Sequence, residues 1–230
     1  MSTHVTAIIL AAGCGSRMNL STTKQKIKIG AETVLYRTVR IFNECPDIDS
    51  IVVVARKDEY DFAKGEVGNF GKVTEITVGG NTRAESARCG FLLVAGKTDF
   101  VAIHDGARCF VTSDMISRVV CDAKKYGAAT ASSKITDTVK KVSRDGVIES
   151  TLPRGDMVLV QTPQVCRADL YEKALQNADL SDSSITDDNM LLENIGIYPY
   201  ATDTGKNNIK LTTQEDLTIA NFLLSGELNV

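Results

Sequence analysis

The sequence predicts an α/β fold with a mainly parallel sheet and helices on both of its faces. Three observations support this: short apolar runs, stretches with helical periodicity, and the regular alternation of the two. The apolar runs are Val5 to Leu10, Ile51 to Ala55 and Phe100 to Ile103, and the helical stretches are Glu32 to Asn43, Arg83 to Ala95 and Ser113 to Tyr126. Such alternation is typical of Rossmann-like folds, whose strands are buried on both sides.

The region from Ser133 to Gln161 breaks this alternation. Two β-rich segments, Ile135 to Val142 and Val147 to Leu152, flank an Arg144-Asp145-Gly146 turn and predict a hairpin. Their apolar content is low for core strands, and a hairpin that cannot bury one face is marginally stable alone. Such a hairpin either lies on its own domain or projects to meet another subunit, and we favour a projecting β-arm at about residues 134–156.

Length and composition limit the classes of partner. The chain has 230 residues, 43% of them hydrophobic, and no linker-like segment, so we expect a single domain over residues 1–230. A formal net charge of −3 argues against broad contact with a nucleic-acid backbone. No segment approaches the roughly 20 apolar residues of a membrane span. We expect neither nucleic acid nor membrane as a partner, and a local basic cluster for any anionic substrate.

The cysteines indicate a reducing compartment. All six stand singly, without the CxxC pair that zinc and redox motifs need, so we expect free thiols in the cytoplasm. The segment from Leu10 to Cys14 resembles a lipoprotein cleavage site. However, no Lys or Arg precedes it, and the apolar run is too short for a signal peptide.

A glycine-rich loop follows the first predicted strand, with the sequence Gly13-Cys14-Gly15-Ser16-Arg17-Met18. Glycines there allow the backbone to approach a ligand. Met18 stands where a dinucleotide-binding fingerprint needs Gly or Ala, and Gly96-Lys97-Thr98 lacks the spacing of a Walker loop. Two cations, Arg17 and Lys24, accompany the loop, and this combination favours a polyphosphate ligand.

Two further polar clusters accompany predicted elements. In the first, Gly79 to Ser86, either Asn81 or Thr82 suits the N-cap of a helix, and taken alone that interpretation is favoured. The second, His104 to Arg108, follows the Phe100 strand and suits an ion pair or a metal site. Ligands of such sheets bind at the carboxyl ends of strands. His104 is also the one candidate general base away from the N-terminus.

The motifs present favour nucleotidyl or phosphoryl transfer. No GxSxG or HExxH motif occurs, so acyl transfer and zinc hydrolysis lose most of their support. Phosphoryl and nucleotidyl transfer need mainly positioning and charge neutralisation, which glycine-rich and basic residues can supply.

Together these pieces resemble the 2-C-methyl-D-erythritol 4-phosphate cytidylyltransferase family of the nonmevalonate isoprenoid pathway. The resemblance extends nearly end to end through IILAAGCGSRM, the Lys24-Gln25 pair, VGGNTRAES, IHDGAR, ITDTVK, TLPRG followed by QTPQ, ITDD and NNIKLTTQEDL. It implies transfer of CMP from CTP to methylerythritol phosphate with release of pyrophosphate. It also implies Mg²⁺ held mainly by the CTP phosphates, with no assigned protein ligand and with a contact to Asp105 left open, and a homodimer with shared active sites.

The resemblance also implies roles for individual residues. In the family, the first loop and the GG-x-x-R segment hold CTP, which suggests Ala11, Ala12, Gly13, Gly15, Gly80, Asn81 and Ser86. Arg17 and Lys24 would stabilise charge on the triphosphate. The sugar phosphate would be surrounded by Asp105, Arg108, Thr138, Arg154 and Lys210, with Thr138 and Arg154 supplied by the partner's arm. Arg17, Lys24, Arg154 and Lys210 are the implied catalytic residues.

Five positions depart from the family pattern. Thr23 stands where a proline usually precedes the lysine, and Lys26 where an aromatic or apolar residue is usual. Asn81 and Asn207 replace acids, and Cys109 replaces a proline. These departures leave open two alternatives: a ribitol-5-phosphate cytidylyltransferase making CDP-ribitol, and a nucleotide-binding sensor without turnover. A dinucleotide-dependent oxidoreductase ranks below both because of Met18.

Overall fold

The computed structural model describes residues 3–13, 23–182 and 184–225. The strands are β1 (Val5–Ala11), β2 (Lys28–Ile29), β3 (Glu32–Thr33), β4 (Ser50–Ala55), β5 (Val73–Val78), β6 (Phe100–Asp105), β7 (Ala128–Lys134), β8 (Lys140–Val142), β9 (Ile148–Thr151), β10 (Val158–Arg167) and β11 (Tyr200–Asp203). The α-helices are α1 (Val34–Glu44), α2 (Tyr60–Val67), α3 (Arg83–Leu92), α4 (Ser113–Tyr126), α5 (Ala168–Gln176), α6 (Asp188–Glu193) and α7 (Gln214–Ser225). Single 3-10 turns occupy Lys24–Lys26, Lys57–Glu59 and Arg154–Asp156.

A seven-stranded sheet forms the centre of the molecule, in the order β11-β7-β10-β6-β1-β4-β5. Strand β10 is antiparallel to both of its neighbours, and the remaining pairs are parallel. Strand β1 lies between β4 and β6, with Ile8 opposite Val52 on one side and Ile103 on the other. The prediction of a mainly parallel sheet is confirmed.

Helices cover both faces of this sheet. Because successive side chains of a strand point to opposite faces, Ile9 of β1 packs in a cluster with side chains of α1, α2 and α4. Its neighbour Ile8 packs in a second cluster with side chains of α3, α5 and α6. The expected double covering is confirmed. None of the helices in the described part of the chain is long and apolar enough to cross a membrane.

Three predicted boundaries differ from the structure. The helix expected from Glu32 begins at Val34, because Thr33 caps it by accepting a hydrogen bond from the Tyr36 amide at 3.1 Å. The helix expected to reach Ala95 ends at Leu92. The Phe100 strand continues to Asp105, so His104 and Asp105 belong to β6 itself and not to the loop after it.

The β-arm is present as a hairpin. Strands β8 and β9 pair antiparallel, and Gly146 in the turn between them has a positive φ of 82°. Every residue of both strands is exposed. Of the first predicted segment, Ile135 to Val142, only the last three residues pair as a strand. The use of this arm in dimerisation stays a prediction.

Candidate active site

A cleft of about 370 Å³ opens at the carboxyl ends of β1 and β6. The chain runs from β1 outward to β4 and β5 on one side, and β6 returns to the other side of β1. The two neighbouring loops therefore diverge and leave a crevice, as is usual at such a switch point. The described residues that line it are Leu10, Ala12, Gly13, Lys24, Gln25, Gly80, Asn81, Thr82, Arg83, Ser86, Asp105, Ala107 and Lys210.

The cleft unites eight of the residues implied by the resemblance, namely Ala12, Gly13, Lys24, Gly80, Asn81, Ser86, Asp105 and Lys210. Ala11 is buried within β1, and Arg108 lies beside Asp105. Thr138 lies between β7 and β8, and Arg154 lies in the turn before β10, where it donates to the Thr136 carbonyl. Neither of these two lines the cleft of its own chain. Gly15 and Arg17 fall outside the described residues.

The loop before α3 forms one wall of the cleft through very close contacts. A Cβ on Gly79 would lie 2.6 Å from Ser86 Oγ and 2.7 Å from the Ala12 side chain, so only glycine fits there. Thr82 caps α3 in a capping box with Glu85, and the Asn81 amide donates to the same carboxylate at 2.6 Å. The capping interpretation is confirmed for Thr82, and both Asn81 and Thr82 also line the cleft.

Asp105 is the centre of an ion cluster on the opposite wall. Its Oδ2 lies 2.7 Å from Lys210 Nζ, and its Oδ1 accepts from Arg83 Nε at 3.1 Å. Arg108 Nε lies 4.0 Å away. Burial alone would raise the pKa of Asp105, but the charges of Arg83, Lys210 and Arg108 outweigh it and hold that pKa well below its usual value. Asp105 is therefore an anion that orients cations.

Lys210 reaches the cleft from far along the chain because its segment is tied to the loop after β6. The Leu211 amide donates to the Ala107 carbonyl at 2.9 Å, and Arg108 donates to the Asn208 carbonyl at 2.8 Å. The Asn208 side chain in turn donates to the Thr162 carbonyl at 2.7 Å. These bonds fix the loop after β6 and the Lys210 segment as one unit.

His104 lies behind the cleft, fully buried. Its Nε2 is 3.2 Å from the Arg108 carbonyl, which can only accept, so Nε2 carries the proton. Its Nδ1 then accepts from the Thr162 hydroxyl at 3.1 Å, and that hydroxyl accepts from the Asp105 amide at 3.0 Å. Burial lowers the pKa of His104 to about 3. Both ring nitrogens are engaged in hydrogen bonds inside the fold, and His104 is not among the described lining residues, so this geometry does not favour His104 as a general base.

Lys24 enters the cleft from the 3-10 turn Lys24–Lys26. The next residue, Gln25, is buried, lines the same cleft and lies against Gly106, where an added Cβ would meet the Gln25 amide group at 3.3 Å. Lys24, Arg83 and Lys210 give the described lining three cations against the single anion Asp105. The cleft is thus suited to a polyanion.

The sequence reasoning missed Arg83 and Gln25 as lining residues. Arg83 bridges two carboxylates, with Nη1 2.6 Å from Asp188 Oδ2 and Nε on Asp105. Its Nη2 is buried with no hydrogen-bond partner among the described residues. Both residues lay within quoted motifs, but the direction of a side chain is not visible in a motif.

Cys109 and Asn207 are two of the five departures from the family pattern. Cys109 is fully buried in a small apolar cluster with Ile29, Val34 and Leu211, where burial raises its thiol pKa to about 12. Asn207 is exposed and is not among the lining residues. Neither residue is among the described residues that line the cleft.

Comparison with known protein families identifies the family of the chain that forms this cleft. A model of the 2-C-methyl-D-erythritol 4-phosphate cytidylyltransferase family matches residues 5–226. The chain belongs to this family. Enzymes of that name from Clostridium novyi and Symbiobacterium thermophilum are each 38% identical to it over 223 residues. The matches cover 96% of both chains for the first, and 97% of this chain and 94% of the relative for the second.

Solved structures agree with this assignment. The 4-diphosphocytidyl-2C-methyl-D-erythritol synthase of Anaerococcus prevotii has a TM-score of 0.86 at 30% identity, covering 97% of this chain and 96% of that one. The Francisella tularensis cytidylyltransferase has a TM-score of 0.81 at 30% identity, covering 96% and 99%. The chain is a CTP-dependent cytidylyltransferase of isoprenoid biosynthesis, and neither the ribitol phosphate nor the sensor alternative is favoured.

Proposed function

We propose that CTP and methylerythritol phosphate bind side by side in the cleft, with the nucleotide against the α3 wall and the sugar phosphate near Lys210. Lys24 and Lys210 are far apart in sequence, yet both line this one cleft, where Asp105 pairs with Lys210. This convergence is the observation that carries the proposal. The backbone of Gly13 and Gly80 lies open on the nucleotide side, where Asn81 and Ser86 also line the wall. Ala11 supports this wall from within β1.

The reaction requires few proton transfers. A phosphate oxygen of the acceptor attacks the α-phosphorus of CTP, a new P–O bond forms, and the bond to the β-phosphate oxygen breaks as pyrophosphate leaves. The attacking oxygen is already ionised near neutral pH, so no general base is needed, in agreement with the structural setting of His104. The main cost is repulsion between two polyanions, which Lys24 and Arg17 offset at the triphosphate and Lys210 at the acceptor.

Magnesium enters this proposal as a companion of the nucleotide. Among the described residues, no group of three His, Cys, Asp or Glu side chains could hold a metal ion. Asp105 is the one carboxylate lining the described cleft, and it is already paired with Lys210 and Arg83. This donor set suits Mg²⁺ that keeps its waters and is held by phosphate oxygens, where it would reduce the charge of the triphosphate.

The arm supports a homodimer with shared sites. Its strands expose Val142 and Ile148, and Val158 to Val160 at the start of β10 add further exposed apolar side chains. Arg154 and Thr138 lie on the same arm, away from the cleft of their own chain. A partner subunit that covers this surface would receive both residues at its acceptor site, and Arg108 would complete that site from within.

We further propose that the chain acts as a single domain in the cytoplasm. The five cysteines that the structure describes are free, and three of them are buried. Thiols of this kind persist where the surroundings are reducing.

Replacement of Lys24 tests the mechanism. Lys24→Met keeps the aliphatic stem and removes one charge-stabilising donor, so kcat for pyrophosphate release should fall roughly a hundredfold. Lys28→Met is the matched control, because Lys28 is exposed on β2 and lies outside the cleft. Its kcat should stay near that of the parent. Equal kcat in the two variants would remove Lys24 from the mechanism.

A further inference from the structure

Two of the departures from the family pattern, Thr23 and Lys26, contact the same buried carboxylate. Glu59 ends the 3-10 turn before α2, and its side chain is only 4% exposed. Its Oε1 accepts a short hydrogen bond from the Thr23 hydroxyl and lies 3.6 Å from Lys26 Nζ. Three residues from two separate segments therefore form one polar cluster.

Two members of this cluster, Thr23 and Lys26, lie on either side of Lys24 in the sequence. In the 3-10 turn the Lys26 amide donates to the Thr23 carbonyl at 3.1 Å, and the Ile27 amide donates to the Lys24 carbonyl at 3.3 Å. Thr23 is the N-cap of this turn and Lys26 is its last residue, and their shared contact with Glu59 places both side chains on one face of the turn. That face is held against Glu59, while Lys24 and Gln25 between them line the cleft.

The usual family residues, a proline at position 23 and an apolar residue at position 26, would hold this turn by backbone stiffness and by packing. Here polar contacts with Glu59 hold it. Thr23 has a φ of −77°, within the range that a proline ring enforces. A proline would stiffen the backbone there directly, whereas here the Thr23 hydroxyl is tied to a fixed carboxylate. Lys26 replaces an apolar side chain, and its ammonium lies 5.1 Å from the ring centre of Phe62 on α2. The ammonium thus lies over an aromatic ring, a contact that attracts a cation.

The Glu59 carboxylate is buried and therefore depends on its polar partners. Burial of a carboxylate is unfavourable unless it is paired, and Oε2 of Glu59 has no hydrogen-bond partner among the described residues. The position of the carboxylate therefore depends on Thr23 and Lys26 at Oε1, and the turn depends on Glu59 in return.

We propose that Glu59 is a positioning residue for Lys24, acting through Thr23 and Lys26. It touches neither substrate nor the reacting atoms, since it does not line the cleft. The inference rests on the proposed role of Lys24, and the experiment must separate the two.

A double-mutant cycle between residues 59 and 24 makes this separation. Glu59→Gln keeps the shape and removes the charge, and kcat should fall roughly tenfold or more, since a misplacement of about 1 Å can cost about a hundredfold. In the Lys24→Met background the same Glu59→Gln change should leave kcat unaltered, because its effect is transmitted through Lys24. Asp58→Asn is the control, an exposed carboxylate on the same turn whose loss should leave kcat unchanged.

A triple replacement, in which positions 23 and 26 take the kinds of residue usual in the family, provides a second variant in case Glu59→Gln folds poorly. Thr23→Pro, Lys26→Leu and Glu59→Leu together replace the polar cluster by an apolar one and should regain most of the parental kcat. Parental kcat in a folded Glu59→Gln, equal losses in both backgrounds, or a triple variant that folds but turns over as poorly as Lys24→Met would each overturn the inference. Parental kcat in Lys24→Met would instead overturn the role of Lys24, and this inference with it.

Discussion

At the scale of single residues, Asp105 determines how the cations of the cleft are placed. It is buried, and its two oxygens contact Lys210 and Arg83 from different parts of the chain. Removal of one partner from a buried ion cluster leaves an uncompensated charge, so each member depends on the others. Lys210 thereby has a fixed position before any substrate arrives, which reduces the reorganisation needed during the reaction.

His104 provides a pH prediction. Burial lowers its pKa to about 3 in the folded state from 6.5 when unperturbed. The unfolded state therefore binds the proton first, so the contribution is fully present above pH 6.5 and is lost as pH falls towards 3. Between pH values of about 7.5 and 5.5 the free energy of unfolding should fall by about 1.4 kcal/mol through this residue.

The measurement is denaturant unfolding of the parent and of His104→Gln at both pH values. The variant is expected to lose stability at each pH, but its difference between the two should be smaller by that amount. His4 is present in both proteins, so its contribution cancels. An identical pH difference in parent and variant would show that His104 is not buried in its neutral form.

The motifs predicted which residues belong to the cleft better than they predicted what those residues do. Lys24, Asp105 and Lys210 were named from the resemblance, and all three line the cleft. The setting of His104 was not predictable, because its Nδ1 accepts from Thr162, which is far away in sequence. The contacts of Thr23 and Lys26 with Glu59 depend on a second segment in the same way.

At the scale of elements, α3 packs unusually close to the sheet at Gly90. A Cβ there would lie 2.6 Å from Ile8 Cγ2 on β1 and 2.8 Å from Val54 Cγ2 on β4. Gly90→Ala should therefore reduce the free energy of unfolding by about 1–3 kcal/mol through overpacking. Chemical denaturation would measure this change.

Gly65 is the matched control for that prediction. It lies in helix α2 with no heavy atom within 4 Å of an added Cβ. Gly65→Ala should stabilise the protein by about 0.5–1 kcal/mol, because alanine loses less backbone entropy in a helix. A stabilising Gly90→Ala would contradict the described contact of α3 with β1 and β4.

Strand composition explains which elements the sequence could predict. Strands β1, β4 and β6 consist mostly of apolar residues and were predicted close to their observed bounds. Strand β7 has the sequence Ala-Ala-Thr-Ala-Ser-Ser-Lys, almost entirely buried but without the large β-branched residues that indicate a strand. Its small side chains reflect close packing between neighbouring elements, which a single segment does not reveal.

The arm yields a prediction about subunit exchange. If Arg154 acts in the partner's site, a heterodimer of one Lys24→Ala and one Arg154→Ala subunit contains one site with neither change. Such heterodimers should recover turnover well above that of either variant alone. The comparison is pyrophosphate release by separately purified and by mixed, verified heterodimeric variants. No recovery would place Arg154 outside a shared site.

At the scale of the whole molecule, topology brings the reactive groups together. The divergence of the chain at β1 and β6 opens the cleft, α3 closes one wall, and the Lys210 segment returns to close the other. The mainly parallel sheet was predictable from alternation, and its strand order was not, because the sequence pattern does not say on which side of β1 the strand β6 inserts.

The most direct test of the whole account compares acceptors. Pyrophosphate release from CTP and Mg²⁺ is measured with methylerythritol 4-phosphate and with ribitol 5-phosphate at equal concentration. Turnover is expected with the first acceptor, together with formation of 4-diphosphocytidyl-2-C-methyl-D-erythritol, and the second should support little. Turnover with ribitol 5-phosphate alone, or CTP binding without turnover on either acceptor, would contradict the account.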